Sequence, residues 1–286
     1  MKPPRFEYRA PATQAEALAL LAAHGYDAKV LAGGQSLVPL LNFRLARPKL
    51  IIDINNVAGL AAIAEDPATR ELCFGALVRQ SDAERSPLVA RHCPLLINAI
   101  RNVGHRTIRN RGTVGGSIAH ADPSAELPLA LAALGGRVRL ASATGERWVS
   151  ASDLFVSYLQ TALGPAELLV EVRFPWLRED ERWAFTEFTR RSGDFALAAV
   201  CVVLGVGSGA VTSARIAIAG GGPTPVRATQ AEVALVAAGG AAGIAEAARL
   251  AAAGADVESD IHASADYRRE LIATLVTRAI GDALGV

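Results

Sequence analysis

The first 55 residues alternate between strand-like and helix-like patterns. Thr13 and Glu16 have the spacing of a capping box, and the helix that they begin ends at Gly25. A second helix is predicted at residues 36–41. Short apolar or alternating runs predict three strands, at residues 6–8, 29–32 and 50–54. The resulting order, in which strands and helices alternate, indicates an α/β unit.

The rest of the sequence mixes strands and helices less regularly. Its middle part predicts a helix at 94–100 and strands at 71–76, 137–140 and 168–174. After a charged connector at 178–182, the pattern predicts three strands, at 185–190, 196–206 and 210–219, with a glycine-rich turn at 207–209. The Ala-rich end predicts helices at 229–237, 243–253 and 267–284. The chain as a whole is typical of an α+β fold.

Composition and charge narrow the classes of function. The 286 residues are 51% hydrophobic, which is enough for a buried core, and the net charge of +1 gives no reason to expect nucleic acid as a partner. No apolar leader or membrane-length run is present, so we expect a cytoplasmic protein without a membrane span. Cys73, Cys93 and Cys201 are fewer than the four ligands that an iron–sulfur cluster usually takes, and no metal site is expected.

A glycine pair between a predicted strand and a predicted helix is the first candidate for ligand binding. The segment reads Ala32-Gly33-Gly34-Gln35-Ser36-Leu37. Paired glycines permit crowded backbone angles and let a ligand approach the main chain. The free N–H groups at the start of the following helix suit a phosphate, and Ser36 can either cap this helix or donate to the anion. A plain tight turn is the other interpretation.

A second segment repeats this chemistry. It reads Arg109-Asn110-Arg111-Gly112-Thr113-Val114-Gly115-Gly116-Ser117-Ile118. Two such glycine turns can hold a diphosphate from both sides. His120, Asp122 and Glu126 follow, and their acidic groups can accept hydrogen bonds from ribityl or ribose hydroxyls. Asp122 is equally typical of a helix N-cap with Pro123 in the first turn.

With both segments in view, the chain resembles the FAD-binding medium subunits of the molybdenum hydroxylases, a family that includes xanthine dehydrogenase and carbon monoxide dehydrogenase. The resemblance covers nearly the whole chain in the family's order. Besides the two glycine segments, it is carried by Arg44-Leu45-Ala46-Arg47-Pro48, Arg190-Arg191-Ser192-Gly193-Asp194-Phe195-Ala196, Gly220-Gly221-Gly222-Pro223-Thr224-Pro225-Val226-Arg227-Ala228 and Tyr267-Arg268-Arg269.

The resemblance implies two domains. An FAD-binding domain of the p-cresol-methylhydroxylase type would cover residues 1–176, with lobes at about 1–57 and 58–176. A small C-terminal domain, like that of the carbon monoxide dehydrogenase flavoprotein, would cover residues 177–286 with a three-stranded antiparallel sheet and helices. The family binds FAD without a covalent bond, so we expect the same here.

The resemblance also implies roles for particular residues. Both glycine segments would hold the pyrophosphate, Asp122 and Glu126 would contact the sugar and ribityl part, and Phe195 would lie close to the isoalloxazine ring. Leu168 and Leu169 are candidates to pack on the same ring, whereas ordinary core packing at a strand start is the other interpretation of Phe195. Arg190, Arg191 and Glu187 either tune the flavin or form surface salt bridges. The expected cofactor-binding residues are Ala32, Gly33, Gly34, Gln35, Ser36, Leu37, Thr113, Val114, Gly115, Gly116, Ser117, His120, Asp122, Glu126, Leu168, Leu169 and Phe195.

The implied function is electron transfer without a catalytic residue of the chain's own. Electrons would pass from [2Fe-2S] clusters of a small subunit through FAD to an external acceptor, while a large subunit would carry the molybdenum cofactor. A dimer of heterotrimers is the implied assembly. Two alternatives stay open, a stand-alone flavin oxidoreductase that acts on a small molecule and a scaffold that has lost the cofactor. The intact glycine segments argue against the scaffold.

Overall fold

The first lobe is a small parallel sheet with two helices. The computed structural model describes residues 2–286 of the chain, and the three strands of this lobe pair in the order β1–β3–β2. The predicted capping box is confirmed, because the Thr13 hydroxyl accepts from the N–H of Glu16 and the Glu16 carboxylate accepts from the N–H of Thr13. The elements are β1 (Glu7–Arg9), α1 (Gln14–His24), a 3-10 turn (Gly25–Asp27), β2 (Ala28–Leu31), α2 (Leu37–Asn42) and β3 (Leu50–Asp53).

The second lobe is built on a five-stranded antiparallel sheet in the order β4–β5–β10–β6–β7. Its strands are β4 (Ile63–Asp66), β5 (Glu71–Gly75), β6 (Arg137–Ser142), β7 (Gly145–Ser150) and β10 (Leu168–Pro175), and β8 (Phe155–Ser157) pairs separately with β9 (Gln160–Thr161). Its helices are α3 (Gln80–Arg85), α4 (Pro87–His92), α5 (Pro94–Asn102), α6 (Arg106–Arg109), α7 (Val114–His120), α8 (Glu126–Leu134) and α9 (Ala151–Leu154).

The C-terminal part is an antiparallel sheet covered by helices, and it has four strands where three were predicted. The additional strand, β14, has only two residues, too few to leave a pattern in the sequence. The strands are β11 (Glu181–Phe188), β12 (Ala198–Gly207), β13 (Ala210–Ala219) and β14 (Val226–Arg227). The helices are α10 (Thr229–Ala237), α11 (Ile244–Ala253) and α12 (Ala265–Leu284), with a 3-10 turn (Ala241–Gly243) before α11.

The predicted charged connector overlaps the start of β11. Glu181 pairs with Gly205 in the sheet, and its side chain is only 2% exposed. It nevertheless stays paired, because Arg215 donates to its carboxylate at 2.9 Å. A buried charge with a bonded partner can therefore begin a strand where the sequence indicates a polar linker.

Both faces of the C-terminal sheet are buried. Side chains that alternate along β12 pack in turn against the second lobe and against the C-terminal helices. Cys201 and Val203 belong to the same core as Leu131 of α8. Val202 belongs to the core that contains Ile272 of α12. The second lobe and the C-terminal sheet thus share one core, in which α8 packs against β12 and β13 and α5 packs against β11.

Candidate functional site

The first glycine segment, residues 32–37, joins the end of β2 to the start of α2. Its two glycines are required for different reasons. Gly34 has a φ of 72°, a left-handed angle that glycine adopts without strain. Gly33 is buried, and a Cβ there would lie 2.8 Å from the Cα of Gly112. The segment is therefore a tight turn pressed against another part of the chain.

Most backbone donors of this segment are free. The side-chain amide of Gln35 donates back to the carbonyl of Gly33 at 3.0 Å, and at the start of α2 the N–H of Val38 donates to the carbonyl of Gly34. The Ser36 hydroxyl makes no capping bond, so its predicted capping role is wrong, and its donation to a ligand stays a prediction. Within residues 2–286, no protein acceptor is found for the N–H groups of Gly34, Gln35, Ser36 and Leu37. Such a row of donors suits an anion.

The second glycine segment, residues 109–118, contains a helix start and not the glycine turn that was predicted. Thr113 caps α7, and its hydroxyl accepts from the N–H of Gly116 at 2.9 Å, so the glycines fall in the first helical turn. Gly115 permits close packing, since a Cβ there would lie 2.6 Å from the Cα of Ala76 after β5. Val114 and Ser117 are the remaining predicted residues of the segment, and Val114 anchors it by donating to the carbonyl of Val78 at 2.9 Å.

The fold brings the two segments side by side. The backbone of Arg111 and Gly112 lies against Gly33, and a Cβ on Gly116 would lie 3.9 Å from the Cβ of Ala32. One segment comes from the first lobe and the other from the second. The free donors of α2 and the start of α7 are thus at the junction of the lobes.

A chain of polar side chains crosses this junction, and no sequence motif indicates it. The Tyr8 hydroxyl donates to Asp53 at 2.6 Å, and the Asn55 amide donates to Asp53 at 2.6 Å. Asn55 in turn accepts from Arg79 at 2.6 Å. Burial acts to raise the pKa of Asp53, but the hydrogen bonds from Tyr8 and Asn55 outweigh it and lower the pKa. Tyr8 lies within β1 and Asp53 ends β3, whereas Asn55 and Arg79 follow β3 and β5. All four lie outside the glycine motifs.

His120, Asp122 and Glu126 surround the turn between α7 and α8. Burial lowers the pKa of His120, against the effect of the nearby Asp122 charge. The interpretation of Asp122 as a helix N-cap is wrong. Its carboxylate accepts from the N–H of Ser124 at 2.9 Å in a local turn, and α8 begins only at Glu126 after Ala125.

Glu126 is a buried carboxyl group at the start of α8, and Glu187 is a half-buried carboxyl group of β11 in the C-terminal sheet. Burial raises the pKa of Glu126 to about 8, and the nearby charges of Glu187 and Asp122 act in the same direction. Burial also raises the pKa of Glu187 to about 7. One carboxylate oxygen of Glu187 is buried without a hydrogen-bond partner in the part of the chain that the structure describes. A surface salt bridge therefore does not explain Glu187.

Leu168 and Leu169 do not fit the expectation that both pack on one ring. They are consecutive residues of β10, so their side chains point to opposite faces of the sheet. Leu168 belongs to the core of the first lobe and Leu169 to the core of the second. Each is 3% exposed, so neither offers a free apolar face.

Phe195 is 71% exposed, so its interpretation as core at the start of a strand is wrong. It lies in the loop before β12, which begins at Ala198. Gly193 in the same loop has a φ of 85°, and a Cβ there would lie 2.7 Å from Nδ1 of His105. The loop thus rests on the second lobe at His105 and presents an unpacked aromatic ring.

These features fit a dinucleotide such as FAD better than a metal ion. Free backbone donors face the junction, glycines leave room for it, and an exposed aromatic ring stands on the neighbouring loop. Among residues 2–286, no group of three or more His, Cys, Asp or Glu side chains could hold a metal ion. No helix in the same range combines the length and apolar character that crossing a membrane requires.

The comparison with known families decides the identity. Residues 4–177 match the family described as FAD binding domain in molybdopterin dehydrogenase. The chain belongs to this family. Residues 183–283 match the CO dehydrogenase flavoprotein C-terminal domain. The chain is therefore an FAD-binding medium subunit of the molybdenum hydroxylase family, in which the molybdenum cofactor and the iron–sulfur clusters belong to other subunits.

Individual relatives of this medium subunit are similar over their full length. Subunit alpha of the 6-hydroxypseudooxynicotine dehydrogenase complex of Paenarthrobacter nicotinovorans is 43% identical, over 99% of this chain and 96% of that protein. A solved structure of carbon monoxide dehydrogenase from Hydrogenophaga pseudoflava is 37% identical with a TM-score of 0.96, covering 100% of this chain and 99% of that one. The structure of quinoline 2-oxidoreductase from Pseudomonas putida 86 is 39% identical with a TM-score of 0.94, and it has the same coverage. The predicted family, fold class and oxidoreductase class are confirmed.

Proposed function

We propose that this subunit binds the pyrophosphate of FAD between the two glycine segments. The observation that carries the proposal is the close contact of Gly33 with the backbone of Arg111 and Gly112, which sets the free N–H groups of residues 34–37 beside the start of α7. Backbone donors held in place by the fold bind a phosphate at little cost in reorganisation. The exposed Arg111 at this junction then adds attraction for the phosphate without having to provide all of it.

The rest of the cofactor would extend from this junction toward the C-terminal sheet. Asp122 and Glu126 would contact the sugar and ribityl hydroxyls, and Phe195 would lie against the isoalloxazine ring. Glu126 is 8% exposed and its pKa is raised, so near neutral pH its protonated carboxyl group can donate a hydrogen bond to a hydroxyl oxygen as well as accept one from a hydroxyl group. The bond to the chain would be non-covalent.

The bound flavin would supply the redox chemistry, accepting electrons from [2Fe-2S] clusters of a small subunit and passing them to an external acceptor. The residues of this chain bind the cofactor, orient it and keep water from it. We assign no catalytic acid, base or nucleophile to the chain. A large molybdenum subunit and a small iron–sulfur subunit, arranged as a dimer of heterotrimers in the cytoplasm, complete the proposal.

The alternative is a stand-alone flavin oxidoreductase of the same domain type. The relatives argue against it, because proteins named as subunits or medium chains match over 96% to 99% of their length. These matches take up 99% of this chain, so its residues correspond to those of a medium subunit.

The visible spectrum of the purified chain, before and after acid precipitation, tests the proposal. Flavin bands that move into the supernatant with acid are the expected result. Colour on the precipitate would contradict non-covalent binding. If the isolated chain is colourless, excess FAD and the neighbouring subunits are added in turn, and absence of flavin from the assembled complex would contradict FAD binding altogether.

A further inference from the structure

Two side chains, Arg79 and Asn55, connect the glycine segments across the junction of the lobes. Asn55 follows β3 in the first lobe, and its amide donates to the carbonyl of Ala32 at 2.9 Å, directly before Gly33. Arg79 precedes α3 in the second lobe. Its two terminal nitrogens donate in different directions, one to Asn55 at 2.6 Å and the other to the carbonyl of Arg111 at 2.5 Å.

These bonds close a ring around the contact between the segments. The Arg111 carbonyl that Arg79 holds is the group that fills the space beside Gly33. The hydrogen bonds therefore link Ala32 to Asn55, Asn55 to Arg79 and Arg79 to Arg111. The contact of Arg111 with Gly33, the residue after Ala32, closes the ring. Displacing either side chain would release both segments from their present spacing.

The second segment is also bonded to the residues on either side of Arg79. The N–H of Gln80 donates to the carbonyl of Gly112 at 2.9 Å, and Val114 donates to Val78 at 2.9 Å. These bonds fix the second segment to the residues around Arg79 within the second lobe. The hydrogen bond between Arg79 and Asn55 extends this fixed frame to the first lobe.

Both side chains are half-buried. Burial and the nearby charge of Arg111 lower the pKa of Arg79, while the carboxylates of Asp82 and Asp53 favour its charged form. A planar guanidinium can bridge two acceptors that lie in different directions, whereas a lysine ammonium is a single point of donation. The geometry thus uses the shape of arginine and not only its charge.

We infer that Arg79 and Asn55 are positioning residues that set the spacing of the two glycine segments and thereby the affinity for FAD. The inference rests on the proposed function. It assigns to both residues an effect through the backbone of the segments, not a direct contact with the reacting part of the flavin.

The test compares FAD affinity in Arg79→Lys, Asn55→Ala and the double variant, with Arg85→Lys as the control. Arg85 is a 61% exposed arginine of α3 that pairs with Asp82. FAD is titrated into the deflavinated chain, or into its complex with the partner subunits, and quenching of flavin fluorescence gives the Kd. We expect each single variant to bind about tenfold more weakly or worse, because a hydrogen bond to a charged group is lost. The double variant should be no weaker than the weaker single one, since both break the same ring.

Hydrogen exchange of the FAD-free chain gives a readout that does not depend on the cofactor. Peptides that cover residues 32–37 and 111–117 should exchange faster in both variants, while the core strands stay as in the wild type.

If Arg79→Lys keeps the Kd within about twofold of the wild type, only charge matters and the inference is wrong. Additive effects in the double variant would also overturn it. If the wild-type chain binds FAD and all variants bind it with the same Kd, the inference alone is wrong. If the wild-type complex contains no flavin, both the proposed function and the inference are wrong.

Discussion

The carbonyl oxygen of Arg111 occupies the space that a side chain on Gly33 would fill. The two residues are far apart in the sequence and belong to different lobes. Their contact depends on the absence of a Cβ at Gly33. Alanine at this position adds only a methyl group, so it tests whether FAD binding requires this contact.

We predict that Gly33→Ala lowers FAD affinity by at least about tenfold, because the added Cβ meets backbone that cannot yield as a flexible side chain could. Fluorescence titration with FAD measures the effect. Gly254→Ala is the matched control. Its Cβ would lie 3.4 Å from the Leu250 carbonyl, an ordinary contact, so FAD affinity should not change. An unchanged Kd in Gly33→Ala would show that the segments need not touch.

Stability should fall with rising pH because of Glu126. The folded chain holds this proton up to a pKa of about 8, while the unfolded chain releases it near 4.5. The free energy of unfolding should therefore decrease between these pH values, with a slope of at most about 1.4 kcal/mol per pH unit from this group. Glu126→Gln should flatten the profile measured by urea unfolding. Glu246→Gln, at an exposed site on α11, should follow the wild type, and a Glu126→Gln profile as steep as the wild type would refute the assignment.

Phe195→Ala should separate cofactor contact from stability. Because the ring is 71% exposed, its loss should leave the Tm of the FAD-free chain nearly unchanged. If the ring packs on the flavin, FAD should bind more weakly and its visible circular dichroism should change. Tyr26→Ala, which removes an 84% exposed ring from the first lobe, serves as the control. Identical spectra and affinity in both variants would remove Phe195 from the site.

Arg268 should be essential for the stability of the C-terminal part. It is 8% exposed and donates to the carbonyl of Leu197 at 2.8 Å and to Asp260 at 2.7 Å. Arg268→Met leaves a buried carbonyl without its partner and should lower the free energy of unfolding by about 2–4 kcal/mol in urea titrations. The neighbouring Arg269 pairs with Asp266, which is 94% exposed, so Arg269→Met should cost less than about 1 kcal/mol. Equal losses in the two variants would argue against a special role of Arg268.

The sequence was most informative where the chemistry is local. The capping box of Thr13, the bounds of β13 (Ala210–Ala219) and the turn angle of Gly34 all depend on neighbouring residues, and the structure has them as predicted. The turn at Gly207, Ser208 and Gly209 is of the same kind, since Ser208 and Gly209 both have positive φ.

Contacts between distant parts of the chain left no such pattern. Asn55 and Arg79 are single polar residues, and their roles depend on how the lobes meet. Thr113 converted the expected second turn into a helix start, and the exposure of Phe195 depends on a loop resting on His105. The division at residues 176 and 177 stays a prediction, because the strands that follow it share a core with the strands before it.

Both faces of β12 are buried, one against the second lobe and the other against the C-terminal helices, and this limits where the chain can be divided. A fragment that ends near residue 176 would uncover the apolar side of α8, including Leu131, that now faces Cys201 and Val203. Such a fragment should aggregate, because an uncovered apolar patch of this kind favours self-association. We therefore expect the medium subunit to unfold as one cooperative unit, so that heat melts the flavin-binding lobes and the C-terminal helices in a single transition.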